Sequence, residues 1–209
     1  MLKIYAIPVS LYCAKLRIVL RHKGLDWVEE PPPGGYGSST YREIVPSGNL
    51  PALVDGDLLL ADSEAIAEYL NEAHPAPALL PEDIHARAKC RELARFHDTR
   101  LEPAVRATFK WIGDPNRDRE VLEQQAALVA QRLTQLSRML ADRPNQFSLA
   151  DCGYPVTLSW INALSEHFNL AIPIPEPVTT YLQALGTQPA VKRELESYVP
   201  RLKEWLAAQ

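Results

Sequence analysis

The chain has 209 residues with a formal net charge of −4, and 46% of its residues are hydrophobic. This length is enough for one large domain or two small ones, each with its own apolar core. Because the chain has no excess of positive charge to follow a phosphate backbone, we do not expect nucleic acid as a partner.

The N-terminal segment does not have the pattern of a signal peptide. Pro8, Lys15 and Arg17 interrupt its apolar residues, and no small-residue cleavage site follows them. No apolar run reaches the ~18 residues that a membrane-spanning helix needs. We therefore expect neither secretion nor a membrane partner.

The cysteines and histidines predict neither disulfides nor a metal site. Cys13, Cys90 and Cys152 are odd in number and far apart in the chain, which favours free thiols in a reducing compartment. The five histidines do not form an HxH or HExxH pattern. The sequence thus predicts a cytoplasmic protein without a bound metal.

The start of the chain changes hydrophobic period repeatedly. Residues 2–6 alternate as a strand does, apolar residues from Cys13 onward have helical spacing, and Gly24 is placed to end that helix. A second short strand is predicted at 26–29. The segment PPPGGYGSS that follows predicts a loop, because its prolines lack donors and its glycines are costly to order.

The segment ALVDGDLLL predicts a β-hairpin with Asp55-Gly56 in its turn. A helix is predicted from Ser63 to Asn71, and the proline-rich residues 74–83 form the natural linker. Strand, helix, strand, loop, hairpin and helix together predict a small mixed sheet with helices packed on it.

Beyond the linker the sequence has helical periodicity and almost no strand pattern. It predicts helices at 84–112, 118–141, 149–167 and 177–196, with a short one at the end. The second half is therefore predicted to be an all-helical bundle.

Ser148-Leu149-Ala150-Asp151 is typical of a helix start. The Ser148 hydroxyl can accept from the amide of Asp151, and the Asp151 carboxylate can accept from the amide of Ser148, so we interpret the motif as architecture. Pro155 is predicted to lie within this helix and to kink it.

Two neighbouring motifs in the first half can bind a ligand. If the Leu50–Pro51 bond is cis, the amide and carbonyl of Leu50 turn away from the sheet and can pair with an extended peptide. Asp62-Ser63 opens the next helix, where the Ser63 amide and hydroxyl form an anion site. Together they suit a small peptide that carries a carboxylate.

These motifs resemble the glutathione transferase superfamily over nearly the whole chain. The resemblance rests on Ser10 at a helix start, VPSGNLPALV, ADSEAIAEYL, the proline-rich linker and SLAD. It implies a fold with a thioredoxin-like glutathione-binding domain at residues 1–75 and an all-α domain at residues 84–209. It also implies a homodimer, with glutathione as co-substrate.

The resemblance also implies roles for individual residues. Leu50 and the cis Pro51 would bind the backbone of glutathione, Asp62 and Ser63 would bind its γ-glutamyl end, and Asn49 would be an additional contact.

The segment SLYCAKLRIVL contains two candidate reactive groups. Counting back from Arg17, Ser10 falls where serine-type classes such as tau and zeta have their catalytic serine, and the Ser-x-x-Cys spacing resembles the delta class. A proline that often follows this serine in tau sequences is replaced by Leu11. Tyr12 is included among the glutathione contacts of this segment.

A serine at a helix start suits thiol chemistry. A free thiol has a pKa of about 8.5, so only roughly 3% of it is thiolate at neutral pH. The hydroxyl of Ser10 and the positive end of the helix would both stabilise the thiolate. Cys13 is the alternative, since a cysteine in the first turn of a helix acquires a lowered pKa.

The second substrate is expected between the two halves. Arg106, Phe109 and Trp111 are candidate contacts from the first helix of the bundle, whereas Trp160 is assigned to the core. The sequence thus predicts attack of the glutathione thiolate on a small hydrophobic electrophile by conjugation, dehalogenation or isomerisation. The alternatives are a Cys13-dependent thiol transferase or reductive-dehalogenase-like enzyme, and a non-catalytic interaction protein.

Overall fold

The computed structural model describes residues 1–209 and begins with a four-stranded mixed sheet. The sheet order is β2-β1-β3-β4, with β1 parallel to β2 and antiparallel to β3, and β3 antiparallel to β4. The strands are β1 (Leu2–Tyr5), β2 (Trp27–Glu30), β3 (Ala52–Asp55) and β4 (Leu58–Ala61). The predicted strands and the hairpin are confirmed, and Gly56 has the positive φ of 57° that its turn requires.

Three helices accompany the sheet: α1 (Leu11–Lys23), α2 (Ser39–Ile44) and α3 (Ser63–Ala73). Helix α1 ends at Gly24, whose φ of 63° is left-handed as predicted. Helix α2 was not predicted, because it has six residues and buries only Tyr41, too little for a helical period to show.

The second half is entirely helical, as predicted. Its helices are α4 (Ile84–Phe96), α5 (Glu102–Arg106), α6 (Arg119–Met139), α7 (Tyr154–Phe168), α8 (Glu176–Gly186) and α9 (Pro189–Ala207). A π-helical turn, His97–Leu101, joins α4 to α5. No helix of the chain is both long and apolar enough to cross a bilayer.

The end of the chain differs from the prediction. The helix expected at 177–196 is two helices separated at Thr187-Gln188, and the last helix has 19 residues instead of being short. Pro189 and Pro177 both lie in the first turns of their helices, where the missing amide costs nothing.

The Ser148–Asp151 capping box is confirmed. The Asp151 carboxylate accepts from the amide and the hydroxyl of Ser148, at 2.7 and 3.0 Å, and from the Tyr181 hydroxyl at 2.5 Å. The predicted kink at Pro155 is wrong. Residues 149–152 form a separate 3₁₀ turn, so Pro155 lies in the first turn of α7.

The architecture is the expected thioredoxin-like domain followed by an all-helical bundle. The two halves share one continuous apolar core. Helix α3 ends at Ala73 and α4 begins at Ile84. The division into residues 1–75 and 84–209 stays a prediction.

A buried charge cluster ties α1 to both α3 and the π-helical turn. Lys15 is 1% exposed, and its Nζ lies 2.7 Å from Glu64 and 2.8 Å from Asp98. His97 Nδ1 lies 2.6 Å from the other oxygen of Asp98. Burial alone would raise the pKa of Asp98, but the hydrogen bond with His97 and the charge of Lys15 outweigh it and lower that pKa to about 2.

We expect Asp98→Asn to destabilise the protein by an amount that depends on pH. The folded-state pKa of Asp98 lies below its ordinary value of 3.8. Its contribution is therefore fully present above about pH 4 and is lost as the pH falls towards about 2. The shift corresponds to about 2 kcal/mol, in addition to the cost of leaving Lys15 less well paired.

Urea unfolding at several pH values measures this difference. The free-energy gap between wild type and Asp98→Asn should shrink as the pH falls. The control is Asp83→Asn: Asp83 caps α4 by accepting from Ala86 N at 2.8 Å, and asparagine caps equally well. A gap for Asp98→Asn that is the same at neutral and acidic pH would contradict the account.

Candidate functional site

A cavity of about 570 Å³ opens where the two halves meet. The first half lines it with Ile7, Val9, Ser10, Leu11, Tyr12, Tyr36, Asn49, Leu50, Asp62 and Ser63. The helical half lines it with Arg95, Asp98, Arg106, Phe109, Trp160 and Trp205. No three His, Cys, Asp or Glu side chains are grouped so as to hold a metal ion.

Ser10 lies at the N-terminal end of α1, on the floor of this cavity. It has extended φ and ψ, and its Oγ accepts from the amide of Cys13 at 3.3 Å. A serine hydroxyl has one proton to donate in addition to its acceptor lone pairs. The bond from the Cys13 amide uses an acceptor lone pair, so the hydroxyl can turn its proton towards a ligand beside the positive end of the helix.

Cys13 faces the interior. It is fully buried and does not line the cavity. Burial raises the pKa of its thiol more than hydrogen bonding to Ser10 and Ile7 lowers it. This direction is the opposite of the lowered pKa that a position in the first turn of a helix predicts.

The Leu50–Pro51 peptide bond is cis, and Leu50 lines the cavity. The amide and the carbonyl of Leu50 make no hydrogen bond within the chain, although β3 begins only two residues later. The preceding carbonyl, that of Asn49, is held by the hydroxyl of the buried Tyr41 at 2.8 Å. The unpaired backbone of Leu50 is thus oriented by its neighbours and open to a ligand.

The start of α3 forms the adjoining wall. Asp62 caps the helix by accepting from the amides of Glu64 and Ala65 at 2.9 and 3.1 Å. Asp62 has a φ of 90°, a conformation that favours glycine, so the turn that presents Ser63 to the cavity is strained. Strain of this kind is concentrated at ligand-binding turns.

Tyr12 connects the floor of the cavity to its far wall. Its hydroxyl donates to Glu102 at 2.9 Å, and Arg106 forms an ion pair with the other oxygen of the same carboxylate. The Arg106 guanidinium lies 5.4 Å from the ring centroids of both Tyr12 and Phe109. Burial and the charge of Glu102 raise the pKa of Tyr12, so its hydroxyl stays protonated and committed to Glu102.

The far wall is aromatic. The rings of Phe109 and Trp160 lie 4.4 Å apart at 30°, and Trp205 meets Trp160 edge-on at 5.9 Å. The structure places the predicted Arg106 and Phe109 in the cavity. Trp111 lies in the same 3₁₀ turn as Phe109 but does not line the cavity; it packs against the hydrophobic core instead.

Sequence reasoning missed part of this wall. Trp160 is buried, as its assignment to the core requires, but it also lines the cavity. Trp205 lies on the helix that was expected to be short, and Asp98 lies in a π-helical turn. No local sequence signal identifies either of them, because both reach the cavity through tertiary packing.

Sequence relatives point to one family. The model of the glutathione S-transferase N-terminal domain matches residues 4–78. Glutathione S-transferase Z2 of Arabidopsis thaliana is 30% identical over 172 residues, which cover 80% of this chain and 77% of that protein. A stringent starvation protein A homolog of Pasteurella multocida is 32% identical over 161 residues, covering 75% of this chain and 73% of its own.

Solved structures share the fold. A delta-class glutathione transferase of Nilaparvata lugens has a TM-score of 0.83 at 19% identity and covers 100% of this chain and 99% of its own. A bacterial maleyl pyruvate isomerase, a zeta-class glutathione S-transferase, has a TM-score of 0.74 at 23% identity and covers 92% of this chain and 95% of its own. The fold, the sequence relatives and the match to the N-terminal domain model all agree. The chain belongs to the glutathione S-transferase family.

Proposed function

We propose that the protein is a glutathione transferase that directs the glutathione thiolate at a small hydrophobic electrophile. One observation carries the proposal. A single cavity brings together the Ser10 hydroxyl at a helix start, the unpaired backbone of Leu50, the Asp62-Ser63 turn and an aromatic wall. The first three suit the peptide, and the wall suits an apolar partner.

Glutathione is an extended peptide with a carboxylate at each end. The free amide and carbonyl of Leu50 would pair with its cysteinyl backbone as a strand pairs with its neighbour. The Ser63 amide and hydroxyl, at the N-terminus of α3, would receive the γ-glutamyl carboxylate. Asn49 lines the cavity beside Leu50 and adds a polar side chain to this side.

The bound thiol would then lie near Ser10. Donation from the Ser10 hydroxyl and the N-terminal end of α1 both favour the thiolate over the thiol. Lowering the thiol pKa from about 8.5 by two units would make roughly three-quarters of it reactive at neutral pH. Serine keeps its proton throughout, so no adjacent base is needed.

In the reaction, the thiolate sulfur donates an electron pair to an electrophilic carbon and forms a C–S bond. In substitution the leaving group departs with its bonding pair, and in addition the pair moves to the far end of a double bond and is protonated there. Phe109, Trp160 and Trp205 provide rings against which a flat apolar electrophile can stack.

Two alternative functions predict different experimental results. A Cys13-dependent thiol transferase is disfavoured because the Cys13 thiol is fully buried and its pKa is raised. A non-catalytic interaction protein would lack glutathione affinity.

We further propose that the chain acts as a cytoplasmic homodimer, as is typical of the family.

Ser10→Ala and Cys13→Ala separate these functions. We expect Ser10→Ala to raise the bound-thiol pKa by about 1–2 units and to lower kcat/KM near pH 6.5 by about 5- to 50-fold. Glutathione affinity should change little, because the peptide anchors remain. Cys13→Ala should retain wild-type turnover per folded molecule.

The measurement follows thiolate absorbance and turnover of an aryl halide against pH in all three proteins. Loss of turnover in Cys13→Ala, together with a glutathionylated wild-type mass, would favour the thiol transferase. An unchanged bound-thiol pKa in Ser10→Ala would contradict the assigned mechanism. Absence of glutathione binding by the wild type would overturn the enzyme proposal itself.

Tyr41→Phe tests the peptide anchor separately from the chemistry. The substitution removes the donor to the Asn49 carbonyl at 2.8 Å and loosens the segment that presents Leu50. We expect the Kd for glutathione to rise about 3- to 10-fold, equivalent to roughly one neutral hydrogen bond, with no shift in the bound-thiol pKa.

Calorimetric titration with glutathione measures the affinity. The matched control is Tyr5→Phe, since the Tyr5 ring packs against Tyr41 with centroids 5.7 Å apart, while its hydroxyl accepts a hydrogen bond from Lys3 and makes none to the Asn49–Leu50 segment. Equal affinities in Tyr41→Phe and the wild type would mean that the Asn49 carbonyl does not orient the anchor.

A further inference from the structure

We propose that Tyr198 of α9 is a positioning residue: its hydroxyl holds the Val9 carbonyl and thereby fixes Ser10 relative to the aromatic wall. This inference rests on the proposed function, because it concerns the orientation of the group that faces the bound thiol.

A single buried hydroxyl joins the two sides of the cavity. Tyr198 is 1% exposed, and its hydroxyl donates to the Val9 carbonyl at 2.9 Å. The same oxygen accepts from Trp160 Nε1 at 2.6 Å. Val9 and Trp160 both line the cavity, on the thiol side and the aromatic side respectively. The two sides of the cavity are therefore held relative to each other by hydrogen bonds to one residue, Tyr198.

The segment that Tyr198 holds has little structure of its own. Ala6 still donates to Glu30 O of β2 at 3.0 Å, and the Ser10 carbonyl already accepts from Ala14 N of α1 at 3.0 Å. Between them, residues 7–9 are held by the backbone only through a turn in which the Ser10 amide donates to Ile7 O at 3.3 Å. Arg17 also donates to the Ile7 carbonyl, at 3.3 Å. For the Val9 carbonyl, the Tyr198 hydroxyl is the hydrogen-bond partner within the chain. The Val9–Ser10 peptide plane is thus oriented from α9.

The position of Tyr198 is itself fixed relative to α1. Glu194, one turn earlier on α9, is 1% exposed and accepts from Arg17 at 3.4 Å and from Arg21 at 3.2 Å. Burial raises the pKa of Tyr198, so the hydroxyl remains a donor across the pH range of an assay. Deprotonation of Tyr198 therefore does not break the bond to Val9 at the pH of an assay.

The proposed role has a distinctive signature. Glutathione would be held by Leu50 and Ser63, which lie on other elements, so loss of the Tyr198 hydroxyl should leave affinity almost unchanged. Displacement of Ser10 by a fraction of an ångström would instead weaken its hydrogen bond to the thiolate, since that bond depends steeply on distance and angle. Thiol pKa and affinity should therefore separate.

The test compares Tyr198→Phe with Tyr154→Phe in the full-length protein, using glutathione and an aryl halide. Tyr154 is a matched control: it is fully buried, and its hydroxyl also donates to a backbone carbonyl, Leu93 O at 2.8 Å, away from Ser10. In Tyr198→Phe we expect the bound-thiol pKa to rise by about 0.5–1 unit and kcat/KM near pH 6.5 to fall about 2- to 5-fold, with recovery at alkaline pH. The KM for glutathione should stay within about 2-fold of the wild-type value. A tenfold change in affinity would require the loss of about 1.4 kcal/mol of binding free energy, and the substitution removes no contact to glutathione.

Trp160→Phe provides a second test that does not require Tyr198→Phe to fold. It removes the Trp160 donor and leaves the bond from Tyr198 to Val9. We expect an unchanged bound-thiol pKa and a raised KM for the aryl halide.

The outcomes are distinct. A pH profile of Tyr198→Phe that matches that of Tyr154→Phe would overturn the inference. A bound-thiol pKa that rises in Trp160→Phe would also overturn it, because general loosening of α7 against α9 would then be the cause. If no thiolate absorbance develops in any of the proteins, wild type included, the proposed function fails and the inference fails with it.

Discussion

Helix α1 is the element on which the rest of the structure depends, because three of its cationic side chains are buried and paired with different parts of the chain. Lys15 reaches carboxylates on α3 and on the π-helical turn. Arg17 reaches carboxylates on β2 and α9. Lys23 donates to Asn71 of α3 and to two carbonyls of the linker, at 2.7–2.8 Å. Each of these buried cations has at least two partners, so loss of one partner leaves the charge less well compensated in a site where charge is costly to bury.

This anchoring sets where the helix begins. With α1 fixed against both halves, its first turn opens into the gap between them, and Ser10 faces that gap. The same helix start therefore lies beside the peptide anchors of the first half and the aromatic wall of the second. The cavity follows from the way the two halves share one helix, and irregular segments that carry Val9, Tyr36 and Leu50 complete its lining.

Local patterns were sufficient for most of the first half, with the short helix α2 as the exception, and for the motifs at Leu50 and Ser63 that line the cavity. The strands, the hairpin at Gly56, the cis proline motif and the start of α3 all follow from residues close together in the chain, because turns and caps are short-range features. Pro155 shows the limit of such reasoning. Its effect depends on whether α7 had already begun, and a 3₁₀ turn placed the start of the helix immediately before it.

The aromatic side of the site was only partly accessible from sequence. Trp111, Trp160 and Trp205 all lie on helical segments, and composition alone does not say which of them faces a cavity and which faces solvent or core. Tyr198 and Asp98 act over separations of 189 and 83 residues from their partners in the first half. Contacts between residues so far apart in sequence depend on how the helices pack, so no local sequence motif predicts them.

The most direct measurement is a crystal structure of the protein with glutathione bound. We expect the cysteinyl backbone to pair with the amide and carbonyl of Leu50 and the γ-glutamyl carboxylate to lie at Ser63. The sulfur should lie within about 3.5 Å of Ser10 Oγ, the range of a hydrogen bond to sulfur or oxygen. Glutathione bound with its sulfur directed away from Ser10, or absent from the cavity at saturating concentration, would contradict the account.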